Sequence, residues 1–274
     1  MTETITIIKK IKRNQYELQC ESGRKVIVSE DSLVKHRLLK GSELTEEQLN
    51  RLEEEALLDI GYQLALNYLN FQLRSEQELR RYLKKKEIPF NHVTPIIERL
   101  RALDLVNDRF FAESYVRTVM RTSDKGPQVI RQQLAKKGVQ AADIDAALLL
   151  YDEETQRHAA LTAAEKALKK YRGKSHQEKQ EKTRQLLYQR GFSGDVITQA
   201  MAELAVAKDE AHEQTLLEKE GGKLWRRNSR FEPAKRKQKV MQSLFQKGFE
   251  YDLIQQFINQ KEMEDDGEQD ERMD

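Results

Sequence analysis

Leu79-Arg80-Arg81-Tyr82-Leu83-Lys84-Lys85-Lys86-Glu87-Ile88 decides the fold, because the chain spells this stretch, loosely, three more times. The later versions are Ile130-Arg131-Gln132-Gln133-Leu134-Ala135-Lys136-Lys137-Gly138-Val139, Thr183-Arg184-Gln185-Leu186-Leu187-Tyr188-Gln189-Arg190-Gly191-Phe192 and Val240-Met241-Gln242-Ser243-Leu244-Phe245-Gln246-Lys247-Gly248-Phe249. Each has Leu four residues before the Gly position, a base just before it and an apolar residue just after. The spelling is that of a helix end. Gly just past the last turn takes the left-handed conformation without a Cβ penalty. Lys or Arg in that turn complements the helix dipole. The apolar residue beyond packs back and closes the cap. The first version carries Glu87 where the others carry Gly. That predicts a costlier cap there, or an earlier helix end before Pro89.

Outward from these ends the match continues. Val93, Ile144, Ile197 and Ile254 lie six residues past the Gly position, and Ile97, Leu148, Met201 and Ile258 ten past it. Pairs at i, i+4 define one face of a further helix in each unit. A longer helical pattern precedes each segment, at about 50–71, 108–121, 153–171 and 208–228. The units recur at offsets of 51, 53 and 57 residues, a period that implies stacked helical repeats. The expected architecture is mainly α: tandem three-helix repeats in an elongated array, each burying its own small core. The expected boundaries are 45–104, 105–152, 153–206 and 207–261, with an acidic disordered tail at 262–274.

Residues 1–44 read differently. Ile5, Ile7 and Ile8–Ile11 are β-prone, and Tyr16, Leu18 and Cys20 alternate with polar residues. The turn Glu21-Ser22-Gly23-Arg24 then leads to Val26-Ile27-Val28, so two or three short antiparallel strands are expected. Ser29 caps a short helix expected to reach about Arg37, ended by Lys40-Gly41. Thr45-Glu46-Glu47-Gln48 has the form of a capping box.

Composition excludes several classes. The 274 residues are 38% apolar and 34% charged, against roughly 25% charged in an average domain. Only 4 Pro and 12 Gly argue against a turn-rich sandwich or barrel. The single Cys20 rules out an internal disulfide framework. The N-terminal MTETITIIKK has no apolar signal region, and the longest apolar run, Ala146–Tyr151, is too short to span a bilayer. A cytoplasmic protein, expected to be a monomer with no membrane partner, follows. No phosphate-binding loop occurs, and Gly221-Gly222-Lys223 lacks the preceding strand such a site needs. His36, His92, His158, His176 and His212 are scattered, and read as surface or capping residues rather than metal ligands. Cys20 reads as a small core residue. No catalytic residue, metal or cofactor is expected, and the protein reads as not an enzyme.

Charge is informative by segment. The chain is +2 overall, but Lys261–Asp274 holds eight acids and two bases, while Lys219–Lys247 holds ten bases and only Glu220 and Glu232. A basic body with an acidic tail is a pattern of chains that meet nucleic acid; a solvated helix face has the same composition. In the first repeat Leu79, Tyr82 and Leu83 share one helix face, and Arg80, Arg81, Lys84 and Lys85 lie on the other. Trp225-Arg226-Arg227-Asn228-Ser229-Arg230-Phe231 interleaves aromatics with bases, with Trp225 and Phe231 expected to bury. Asn107 or Asp108 is a suitable N-cap for the helix carrying Phe110, Phe111 and Tyr115, whose aromatics are expected to join the first two repeats.

Ser75-Glu76-Gln77-Glu78-Leu79-Arg80-Arg81-Tyr82-Leu83-Lys84-Lys85-Lys86 resembles the first-repeat signature of the RecX regulatory proteins, as does Leu105–Val116. Lys125-Gly126-Pro127, with Ile130, Leu134 and Gly138, is similar to that family's second repeat. Asn70-Phe71-Gln72-Leu73-Arg74 departs from the Arg-Pro-Arg often seen there, and Glu87 from the usual Gly. The resemblance implies a modulator of the RecA recombinase that binds RecA and the RecA–single-stranded DNA filament. It implies inhibition of ATP hydrolysis, strand exchange and repressor cleavage, and weak direct binding to single- or double-stranded DNA. The expected filament-facing bases are Arg80, Arg81, Lys84 and Lys85 together with Arg226, Arg227, Lys235, Arg236 and Lys237. The alternatives are a helix-turn-helix-like DNA-binding array acting without RecA, or a scaffold for protein partners.

Overall fold

The structure is a computed structural model that describes residues 2–12, 14–204 and 207–270. It opens on an antiparallel sheet of β1 (Thr2–Lys12), β2 (Gln15–Cys20), β3 (Lys25–Ser29) and β4 (Glu43–Thr45), in the order β3-β2-β1-β4. Alternation puts Ile5, Leu18, Cys20, Val26 and Val28 on one buried face, where they pack with Leu49 and Leu52. Between β3 and β4, α1 (Glu30–Lys35) is capped by the Ser29 side chain. It ends before the expected Arg37, which takes φ 50° and so cannot continue a right-handed helix.

The remainder is helical: α2 (Glu46–Leu69), α3 (Glu76–Lys85), α4 (Phe90–Ala102), α5 (Asp108–Thr122), α6 (Pro127–Lys136), α7 (Ala141–Leu148), α8 (Glu153–Lys170), α9 (His176–Gln189), α10 (Gly194–Leu204), α11 (Glu210–Arg227), α12 (Pro233–Gln246) and α13 (Tyr251–Asp270). Thr45 with Gln48, and Ser75 with Glu78, form complete capping boxes. Of the acidic tail expected at 262–274, residues through Asp270 belong to α13, and 271–274 lie outside the described residues. Phe257 and Ile258 pin the earlier turns of α13 into a core with Leu216, Leu217, Trp225 and Leu244, and that anchored helix propagates.

All four repeated helix ends have the same geometry. The amides of Ile88, Val139, Phe192 and Phe249 bond the carbonyls of Leu83, Leu134, Leu187 and Leu244 at 3.2–3.3 Å. The residue before each takes a positive φ: 62° at Glu87, 85° at Gly138, 87° at Gly191 and 78° at Gly248. These are Schellman caps, and the four leucines are fully buried.

By packing, the chain forms two compact units: Met1–Tyr115 with Gln133–Ala147, and Val116–Gln132 with Leu148–Asp274. Repeats one, three and four bury their own cores around Leu83, Leu187 and Leu244. The second repeat is divided between the two units. Its Phe111, Leu134, Val139 and Ile144 fall in the first unit, and its Val116, Val119, Ile130 and Tyr151 in the second. The two ends of α6 have different neighbours. In the first unit, Ser75 Oγ at the start of α3 donates to the Lys137 carbonyl at the end of α6, 2.6 Å. In the second unit, Gly126 N and Gln128 N at the start of α6 donate to the Arg190 and Gly191 carbonyls at the end of α9, 2.7 and 3.1 Å. The joint between α9 and α12 repeats the first: Ser175 Oγ donates to the Lys247 carbonyl at 2.5 Å. Acids complete two of these joints. Asp108 accepts from Glu76 N at 2.8 Å, and Glu213 from His176 N at 2.9 Å. Asn107 caps α5 by accepting from Phe110 N, which leaves Asp108 to make its joint.

Candidate functional site

On α3 the buried face is as expected: Leu79 and Leu83 are fully buried, and Tyr82 stacks on Tyr68 with ring centroids 4.0 Å apart. The opposite face is not uniformly basic and free. Arg80 is held inward: its Nε donates to Glu76 at 2.7 Å and its Nη1 to Thr94 Oγ1 at 3.2 Å. It ties α3 to α4. Arg81, Lys84 and Lys85 are exposed. Arg81 makes one long bond, 3.4 Å, to the Lys136 carbonyl.

The second basic cluster divides in the same way. Arg226, Arg227 and Lys235 are exposed on α11 and α12. Arg236 is not: its side chain is 15% exposed and paired with Asp265 at 2.5 Å. Its guanidinium lies 4.0 Å from the centre of the buried Trp225 ring, and its Nε donates to the Trp225 carbonyl. Lys237 pairs with Glu262 at 3.0 Å. Arg236 and Lys237 are both engaged by acids of α13. Arginine and lysine carry long apolar stems, so their place on a helix wheel does not say whether the head group meets solvent or a neighbouring acid.

Phe231 is half-buried and ringed by cations: Lys239 Nζ, the Arg230 guanidinium and Lys235 Nζ lie 4.9, 5.1 and 5.5 Å from its centroid. Tyr188 and Phe245 are also prominent, 59% and 63% exposed. Both occupy the position that Lys84 holds in the first repeat, three residues before the left-handed residue, so reading that column across the four segments would have found them. Arg109 pairs within α5 with Glu113 at 3.6 Å. His92 is buried rather than a surface residue, with Nε2 2.5 Å from a Glu54 oxygen but off the hydrogen-bonding direction. Among the described residues no group of three His, Cys, Asp or Glu forms a metal site. No helix among them is long and apolar enough to cross a membrane.

The comparisons with known proteins fall on these same helices. The family model described as RecX, first three-helix domain, matches residues 62–100, and that of the second three-helix domain matches 107–148. The third three-helix domain matches twice, at 154–201 and 212–258. A protein of Enterococcus faecalis named Regulatory protein RecX is 50% identical over 263 residues, 96% of this chain and 99% of its own. The chain belongs to the RecX family. A Levilactobacillus brevis RecX is 40% identical over 93% of this chain and 96% of its own. A crystal structure titled regulatory protein RecX superposes with TM-score 0.61 at 34% identity, covering 72% of this chain and 97% of that one. Crystalline RecX from Lactobacillus salivarius gives 0.52 at 43% identity, over 54% and 96%. The repeats, with their shared caps, are thus RecX three-helix domains.

Proposed function

We propose that this protein regulates RecA, binding RecA and the RecA–single-stranded DNA filament and inhibiting ATP hydrolysis, strand exchange and coprotease activity. The observation that carries the proposal is the division of α3 into a buried apolar face and an outward face of Arg81, Lys84 and Lys85, on a chain of the RecX family. A cation set that the protein's own fold does not consume is available to phosphates or an acidic protein groove. Arg226, Arg227 and Lys235 form a second such set. Arg80, Arg236 and Lys237 pair with acids of the chain itself. Direct affinity for DNA is weak in this reading, the protein acts as a monomer in the cytoplasm, and its partner is the assembled filament.

The test is a titration of RecA's single-stranded-DNA-dependent ATPase. The proposal expects inhibition at amounts well below the RecA concentration, with potency falling as salt rises, and little binding to naked duplex at physiological ionic strength. Tight duplex binding with no effect on RecA would select the helix-turn-helix-like reading instead.

A further inference from the structure

We propose that the acidic end of α13 is an internal competitor for single-stranded nucleic acid at the α11–α12 corner of the fourth repeat. This deepens the proposed function and rests on its reading of the second basic cluster as a filament-facing surface.

The way α13 is held sets the argument. Its early turns are anchored by packing: Ile254, Phe257 and Ile258 are buried, and Phe257 lies against Gly221, where an added Cβ would come within 2.6 Å of the ring. Between Asn259 and Asp265 no side chain is fully buried. That stretch is held by polar contacts to the basic corner. Glu262 pairs with Lys237, and one Asp265 oxygen takes both the Trp225 Nε1–H at 3.1 Å and Arg236 at 2.5 Å. The Lys237–Glu262 pair is partly exposed and contributes little, and Arg236 keeps the Trp225 ring and carbonyl as partners without Asp265, so this part can leave the corner while the anchored turns stay in place.

The corner suits a single strand. It combines a half-buried aromatic, Phe231, with Arg230, Lys235 and Lys239 around it, and Arg226 and Arg227 nearby in sequence on α11. Bases stack on aromatic faces while cations follow the phosphates, the general chemistry of single-strand binding. Glu262 and Asp265 place carboxylates against Lys237 and Arg236, which follow Lys235 on α12. A strand that displaces them gains Lys237 and Arg236.

The experiment measures binding of a labelled oligothymidine to the full chain by anisotropy, without RecA. Glu262→Gln with Asp265→Asn is expected to tighten binding about five- to tenfold at low salt. Freeing two cations should also steepen the plot of log affinity against log salt by about 1.4. Adding Phe231→Ala to the double variant should remove much of that gain for oligothymidine, and leave binding to polyglutamate unchanged. Trp225 is the single tryptophan of the chain, so wild-type emission reports directly on Asp265. It should shift as oligothymidine is added, and this readout needs no variant to fold. Equal affinities of wild type and double variant, or an unmoved Trp225 emission at saturating oligothymidine, would overturn the competition. A gain that polyglutamate shows equally and that survives Phe231→Ala would overturn the nucleic-acid assignment in favour of an acidic protein partner. Neither result bears on RecA inhibition, which reversal of Arg226 and Arg227 in the ATPase assay tests separately.

Discussion

Glu87 and Gly191 stand at the same place in the same cap, and their surroundings explain why one position accepts a side chain and the other does not. Gly191 lies against the start of α6: a Cβ there would be 2.5 Å from Val129 N. Gly138 meets Gln77 at 2.3 Å in the same sense, and Gly248 meets Gln177 and Ser175 Oγ at 3.1 Å. Glu87 is exposed, and the bonds around it are local to its own cap. Left-handed backbone is required at all four positions, but closeness to another helix start only at three. The glycines therefore serve the joints between repeats as much as the helix ends.

Each cap places a leucine at the same buried position, so the largest effect should not distinguish them. Leu83→Ala and Leu187→Ala each remove a fully buried side chain and should each cost roughly 2–5 kcal/mol, read by denaturant unfolding. A negligible cost at either would break the equivalence of the repeats. The glycine column should then separate them. Gly191→Ala brings a Cβ against backbone and should cost about 3 kcal/mol, whereas Glu87→Ala should change stability by less than about 0.5 kcal/mol. Similar costs for the two would mean the joint places no demand on Gly191. Glu87→Gly relieves the left-handed penalty and should stabilise by about 1 kcal/mol; a loss would show that Glu87 makes a contact of its own.

The smallest effect concerns the base before each cap. Lys137 pairs with Glu78, Arg190 with Asp124 and Lys247 with Glu220, while Lys86 only approaches the Tyr82 ring, 5.7 Å from its centroid. Hydrogen bonds from Lys247, then Lys223, hold the Glu220 carboxyl down at about 2. A depressed carboxyl stabilises the fold above its unfolded value, and that stability is lost as pH falls from about 4.5 towards 2. Glu220→Gln should flatten this part of the stability–pH curve. An unchanged acid limb would show that the pair contributes nothing.

Much of this fold is legible in local sequence. Gly after a base, Leu four residues earlier and an apolar residue after it specify a Schellman cap by local sterics alone. The missed features are long-range. β4 is three residues, Glu43–Thr45, with no alternation to mark it, and it exists because Thr2–Thr4 offers a partner edge. Arg236 looked like an open surface base, because its acid, Asp265, gains meaning only once the helices are packed, whereas Glu76 and Arg80 are an i,i+4 pair already present in the sequence. The Ser75–Lys137 joint links residues 62 apart, beyond any periodic pattern. The candidate surface was accordingly half legible: Arg81, Lys84, Lys85, Arg226, Arg227 and Lys235 lie exposed, while Phe231 with Arg230 and Lys239 emerged from packing.

Reversing Arg81 and Lys84 to Glu, and assaying RecA's ATPase beside wild type at matched salt, tests the central claim most directly. Both residues are exposed, so melting should be nearly unchanged. The account predicts markedly weaker inhibition. Inhibition equal to wild type, from this variant and from the Arg226/Arg227 reversal alike, would contradict it and assign the binding to apolar or neutral contacts.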